Sequence, residues 1–425
     1  MTIKLLAVGD LHLGRLPGRL PEMLVEQAAE LGPEAAWRRT VALDQREGVD
    51  AVVLTGDVVE SSDDFFEALP RLREGVEQLV AAGIRVIGVA GNHDGEVLPA
   101  LADRITNFEL LGKNGQWEST TVTAGEDTLI LWGWSFPGRT ARQDPLATFP
   151  GHVSTTPALG LLHCDRDQTD SPYAPVTRHA LADSGLDGWL LGHIHQPDPL
   201  ILPRPMGYLG SVTGLDAGET GPRGPWLITL EKGTFDAVTH QILAPLHWAN
   251  VPVEVSDAVD EDAVETQLIA ALEQIGATLR SAVMPPRAVG LRVVYTGVSD
   301  LPETAFPAGL GRTAVFTLPG TSEVSAFIES TRLDLRPVIP LQSLARRDDH
   351  AGLLAQRLLL LDREPGDPER EAMLDRAAAV AQEAAQEGAW RRIAEAPVDR
   401  ESVADWLRER GQAALRQILS QQGAS

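Results

Sequence analysis

Apolar runs in the first half of the chain end, one after another, on residues that can hold a cation or a proton. Ala51-Val-Val-Leu-Thr-Gly-Asp57 is apolar or β-branched up to its turn, as expected of a strand covered on both faces. Ile3–Gly9 runs into Asp10-Leu-His12, and Arg85–Gly91 runs into Asn92-His93-Asp94. Ala158–Leu162 runs into His163, and Leu186–Gly192 runs into His193-Ile-His195. In open α/β sheets ligands collect at the carboxyl ends of strands, so this pattern predicts one site built from several strand ends.

Between these runs the periodicity changes. Ser62 to Ala82 carries Phe65, Phe66, Leu69, Leu72, Val76, Leu79 and Val80 near a helical period. Further strands are predicted at Thr128–Trp132, Trp226–Leu230 and Phe235–Leu243, with Gly/Pro-rich loops from Pro197 to Pro225. Residues 1–247 therefore read as an α/β domain with a mixed sheet system, and Pro245–Pro252 reads as its boundary. Residues 248–340 read as a small α+β domain. Its elements are strand Val251–Val255, helix Asp260–Arg280, strands Val289–Tyr295 and Ala314–Leu318, and a short helix Glu323–Glu329. Residues 341–425 read as helical: Asp349–Leu361, Asp367 to about Glu395 with Pro368 at a favourable first-turn position, and Arg400–Gln421. No internal repeat and no long heptad array is present.

Composition narrows the setting. At 425 residues the chain exceeds one hydrophobic core, and its 43% hydrophobic content is that of a soluble globular protein. No membrane-length apolar run occurs, and the N-terminus enters a strand at once, so neither a membrane span nor a signal peptide is expected. The one cysteine, Cys164, excludes an internal disulfide framework and suits a reducing cytoplasm. A net charge of −24 is the reverse of the usual footprint of a nucleic-acid binder. Affinity for DNA would then have to come from bound metal, a local arginine cluster or a partner subunit.

Two metal ions held a few ångströms apart need a shared ligand, and a carboxylate with two oxygens suits that bridge. Asp57 is the candidate. Past the strand end Asp10 and His12 can turn toward one ion, and His193 and His195 are assigned one to each. Asn92 offers a neutral carbonyl oxygen and His163 completes the set. Hard oxygens mixed with imidazoles and no thiolate suit Mn(II), Fe or Zn. His152, His179, His240, His247 and His350 lack this strand-end context and read as surface or packing residues.

Taken as a set, Asp10-Leu-His12, Gly56-Asp57, Gly91-Asn-His-Asp94, His163 and Gly192-His-Ile-His195 resemble the five motifs of the calcineurin-like metallophosphoesterases. The early Asp-Leu-His-Leu-Gly14 and the added domains resemble the SbcD-type DNA-repair exonucleases. Tyr173-Ala-Pro175 and Gly221-Pro-Arg-Gly224 resemble their YhaO-like branch. The resemblance implies an α/β fold, a two-sheet αββα sandwich flanked by helices, with the α+β segment as a cap that binds DNA. It also implies two divalent metal ions, usually manganese. One ion would take Asp10, His12, Asp57 and His195, and the other Asp57, Asn92, His163 and His193. His93 would contact the scissile phosphate and protonate the leaving oxygen, with Asp94 hydrogen-bonding its ring. Glu60 stands where some relatives carry a phosphate-facing His, so that role does not transfer.

The implied activity is metal-dependent hydrolysis of DNA phosphodiesters by a two-metal-activated hydroxide, in double-strand break repair. It would be an exonuclease with single-strand endonuclease activity. The implied partners are DNA, an SbcC/YhaN-like coiled-coil ATPase docked on the helical tail, and a second copy of the chain; no membrane is involved. Two alternatives remain: a phosphodiesterase or phosphatase acting on nucleotides or small phosphoesters, and a catalytically weak scaffold subunit.

Overall fold

The computed structural model describes residues 2–306, 314–386 and 400–422. Its described residues divide into two compact units, the first being 2–297 with 301–306 and 314–335 and the second 298–300 with 336–386 and 400–422.

The first unit is built on two facing sheets. One contains β1 (Ile3–Val8), β2 (Ala51–Thr55), β3 (Arg85–Val89) and β4 (Phe108–Leu110) as parallel neighbours. The other contains β5 (Trp117–Ala124), β6 (Asp127–Trp134), β7 (Ala158–His163), β8 (Gly188–Gly192) and β9 (Met206–Tyr208), in that spatial order. β10 (Trp226–Glu231) and β11 (Thr234–His240) return to the first sheet antiparallel, on the free side of β1. Alternation along each strand sorts the core into layers. Ile3, Leu5, Val53 and Ile87 meet Leu131, Leu159 and Leu190 between the sheets. Leu6, Val52 and Val86 face outward against Trp37, Val41, Leu72 and Val76 of the helices Pro33–Glu47 and Phe65–Ala81. Leu162, Trp189 and Leu191 fill the outer face of the second sheet with Leu181 of the helix Arg178–Asp183. This is the expected αββα sandwich with mixed sheets.

A third sheet follows: β12 (Leu246–Glu254), β13 (Ala288–Val298), β14 (Phe316–Thr317) and β15 (Ser325–Arg336), in the order β12-β13-β15-β14. The helix Glu261–Leu279, capped by the Asp260 carboxylate on Ala263 N, packs Val264, Leu268 and Leu272 on Val251, Val253, Leu291 and Val293. One reading of this region changes. The expected helix Glu323–Glu329 lies in strand: Ser325–Arg336 is β15, hydrogen-bonded between β13 and β14. Val324, Phe327 and Ile328 follow a helical i, i+3, i+4 spacing, but pairing decides, and the strand puts Ala326 and Ile328 on one face and Phe327 on the other. The proline-marked stretch 245–252 is largely β12; Pro252 is tolerated because β12 is an edge strand.

The second unit packs the helices Leu341–Leu344, His350–Leu361, Pro368–Gln386 and Arg400–Gln422 around Ala351, Ala355, Leu358, Leu374, Val403, Ala404 and Leu415. Asp349 caps the second helix through Gly352 N, as a residue just before an apolar helical run should. The part of the second predicted tail helix from 387 to 395 lies outside the described residues. Among the described residues no helix is long and apolar enough to cross a membrane.

Candidate metal centre

Parallel pairing brings the carboxyl ends of β1, β2 and β3 side by side, and the facing sheet delivers β7 and β8 to the same edge. After β1 the chain turns under β2: the amides of Leu11 and His12 both donate to the Asp57 carbonyl, at 3.0 and 2.9 Å. His12, Asp57 and His193 have φ of 52°, 47° and 104°, a region side chains avoid at roughly 1–3 kcal/mol each. Such strain persists only where the surroundings impose it, and here it falls on three of the predicted ligands. Gly192 permits the close approach, since a Cβ there would meet the Thr55 carbonyl at 2.2 Å and His163 Nδ1 at 2.7 Å.

All seven predicted ligands converge. Asp10, His12 and His195 form one cluster, and Asp57, His163 and His193 another, each with donor atoms within 4.8 Å of one another. Asn92 Oδ1 lies 3.0 Å from His163 Nε2 and 3.1 Å from His193 Nδ1. Asp57 Oδ2 lies 3.3 Å from His163 Nε2 and 3.9 Å from His12 Nε2, between the two clusters, while its Oδ1 accepts the His93 amide at 2.9 Å. Asp10, His12, Asp57 and His163 are all at most 2% exposed.

The donor chemistry fits divalent cations. His163 Nδ1 reaches the Thr55 carbonyl (3.1 Å), and carboxylates stand behind the other three rings. Glu60 lies 2.6 Å from His12 Nδ1, Glu219 2.7 Å from His195 Nδ1, and Asp165 3.2 Å from His193 Nε2. The Thr55 carbonyl and Glu219 take the Nδ1–H of His163 and His195, which turns the Nε2 lone pairs of those two rings inward. His195 Nε2 stands 3.0 Å from His12 Nε2, and His163 Nε2 stands 3.3 Å from Asp57 Oδ2. Asp10 Oδ2 is buried with no hydrogen-bond partner among the described residues. Acceptors facing acceptors in a buried space call for positive charge between them.

Protons supply part of that charge in the metal-free chain. Burial pushes the His163 imidazole down, but Asp57, with Asp10 and Asp94, outweighs it and raises the pKa to about 9. Burial likewise works against Asp57, yet His163, then His12 and His93, hold its carboxyl well below the usual range. These two shifts are one interaction seen from both partners.

One expectation about the neighbours changes. Asp94 does not touch the His93 ring. It is fully buried and accepts the amides of Gly91 and Val58 at 2.7 Å each and of Val59 at 3.3 Å, tying the β2 and β3 turns together. The His93 ring is held instead by the Glu60 carbonyl, 2.8 Å from Nδ1, and is exposed. Glu60, the departure from the family pattern, braces His12 and approaches Arg15 at 3.8 Å. Sequence reasoning also missed Asp165 and Glu219. Asp165 has the cue of lying two residues after His163, whereas Glu219 sits in a Gly/Pro-rich stretch with no spacing signal.

Residues 3–197 match the family model described as calcineurin-like phosphoesterase. This segment is similar to the calcineurin-like phosphoesterases. That family is one of phosphoester hydrolases that bind divalent metals. YhaO of Bacillus subtilis (strain 168), an uncharacterized metallophosphoesterase, is 27% identical over 303 residues, covering 68% of this chain and 71% of that protein. Among solved structures, a dimetal phosphatase from Danio rerio aligns with 56% of this chain and 98% of its own, at 13% identity and a TM-score of 0.34. The calcineurin-like phosphoesterase YfkN from Bacillus subtilis aligns with 66% of this chain and 99% of its own, at 11% identity and a TM-score of 0.35.

Proposed function

We propose that this phosphoesterase is a two-metal phosphodiester hydrolase acting on DNA, an exonuclease with single-strand endonuclease activity in double-strand break repair. The observation that carries the hydrolase reading is the position of the Asp57 carboxylate between two clusters of inward-facing donors. Asp10, His12, Asp57 and His195 would hold one cation, and Asp57, Asn92, His163 and His193 the other; manganese suits this donor set. Such ions acidify water and neutralise charge on phosphate oxygens.

The remaining work falls to the chain. The strained turns after β1, β2 and β8 fix the donors before substrate arrives. His93 is exposed beside His12, their ring centroids 5.1 Å apart. With Nδ1–H directed to the Glu60 carbonyl, its Nε2 is left to carry a proton to the departing 3′ oxygen. Asp94 holds the two turns in register and leaves the proton transfer to His93.

The DNA assignment rests on the SbcD-type resemblance and on the segments added beyond residue 247. Residues 248–340 serve as a DNA-binding cap, and the helices of 341–425 dock an SbcC/YhaN-like ATPase that supplies the basic surface this acidic chain lacks; two copies associate as a homodimer. The net charge of −24 also favours a second reading, hydrolysis of nucleotides or small phosphoesters, since a polyanion is repelled more than a monoester. Purified protein with manganese, assayed on single- and double-stranded DNA against a chromogenic phosphodiester, separates the two. DNA cleavage supports the first reading; rapid small-ester turnover with intact DNA establishes the second.

A further inference from the structure

Of the carboxylates behind the histidines, Glu219 is the one held by two donors from its own loop. Its Oε1 lies 2.7 Å from His195 Nδ1, while its Oε2 accepts the Leu215 amide at 2.9 Å and the Ser211 hydroxyl at 3.3 Å. Arg223, 1% exposed, reaches Ser211 Oγ at 3.1 Å and also donates to the His195 carbonyl. Its Nε finds no hydrogen-bond partner among the described residues. A guanidinium buried with one N–H unsatisfied is costly for a loop that only needs closing. Both ends of His195, the carbonyl and the ring, are therefore held by one network drawn from residues 211–223. That loop is fastened on its far side by β12, where Trp248 Nε1 donates to the Gly214 carbonyl (3.3 Å) and Gly221 N donates to the Trp248 carbonyl (3.0 Å).

We propose that Glu219, clamped through Ser211 by Arg223, is a positioning residue that fixes the ring plane and tautomer of His195. It thereby sets the affinity of the cation held with Asp10 and His12, while leaving the cation at His163 and His193 largely untouched. Glu219 takes the Nδ1–H, so the Nε2 lone pair is committed to the space shared with His12 Nε2 and Asp10. Losing it frees the ring to rotate or to place its proton on the inward nitrogen, which cannot then bind a cation. This inference rests on the two-metal reading given above.

The test is manganese binding by the full chain, followed by calorimetry and by the electron paramagnetic resonance of free Mn(II), with the metal-free melting temperature recorded beside it. In Glu219→Ala one of two sites is expected to weaken about 10–100-fold, the range for losing such an outer partner. The second site and the metal-free melting temperature stay near wild type. Glu219→Gln, whose amide oxygen still accepts the ring N–H, restores most of the loss. Arg223→Lys, which cannot reach Ser211 and the His195 carbonyl together, weakens the same site. Two wild-type affinities in Glu219→Ala overturn the inference. So does parallel weakening of both sites with a lowered metal-free melting temperature, which is the mark of a loop brace. A wild-type chain that binds fewer than two ions refutes the two-metal reading itself, and this inference with it.

Discussion

Metal binding should expel a proton from His163, and the size of that effect follows from the site. The imidazole is buried among Asp57, Asp10 and Asp94, which raise its pKa to about 9. At pH 7 the metal-free ring is therefore protonated, and freeing its inner nitrogen costs about 3 kcal/mol at 1.36 kcal/mol per unit of difference. The sign can be checked on the metal-free protein. A histidine whose folded pKa lies above its unfolded value adds stability that is complete below about pH 6.5 and lost as pH climbs through about 9. The metal-free chain should melt at lower temperature across that window, and saturating Mn(II) should remove the dependence. The affinity of the ion at His163 should in turn rise about tenfold per pH unit, about a hundredfold from pH 6 to 8. Calorimetry in buffers of different ionisation enthalpy counts the protons released, and at least one per chain is expected at pH 7. Burial and the Asp57 charge raise Asp94 to about 7, so its proton adds to the release below neutrality. A flat affinity from pH 6 to 8 with no proton release would refute the reasoning.

Other consequences are as direct. His93→Asn should lower DNA hydrolysis by about 10²–10⁴-fold while leaving two ions bound, and should cost far less with a nitrophenolate leaving group that needs no proton. Equal losses on both substrates would remove the acid role. Gly91→Ala places a Cβ 2.1 Å from Asp57 Oδ1, so it should displace that carboxylate and drop manganese stoichiometry below two. Unchanged stoichiometry by titration would contradict the bridging position. Asp44 is fully buried with both carboxylate oxygens unpartnered among the described residues, and burial raises its pKa to about 9. Wild-type stability should then fall as pH rises from about 4, and Asp44→Asn should gain on it by about 4 kcal/mol between pH 5 and 8 in urea unfolding. Parallel curves for the two proteins would dismiss that view of Asp44.

The candidate site was readable because its chemistry is local to strand ends. Each apolar run announces a buried parallel strand, and the residue after it must lie at the shared carboxyl edge, so Asp10, His12, Asp57, Asn92, His163, His193 and His195 are named before any contact is known. What the sequence hid depends on where side chains turn. Asp94 follows His93 directly, yet the turn after β3 sends its carboxylate back under Val58 and Val59. Glu219 reaches His195 from the loop of residues 211–223, where Arg223 bonds Ser211, an arrangement with no period and no spacing. The helical spacing of Val324, Phe327 and Ile328 yielded to pairing, as β13 and β14 claimed Ser325–Arg336 as a strand. Local pattern loses to tertiary pairing in all of these.

The central claim is that the Asp57 carboxylate serves two cations at once. Anomalous diffraction from crystals soaked in manganese measures this most directly. The expected map has two peaks about 3.5–4 Å apart, both in coordination distance of Asp57, one beside His12 and His195 and one beside His163 and His193. A single peak, or two peaks with Asp57 touching only one of them, would contradict it.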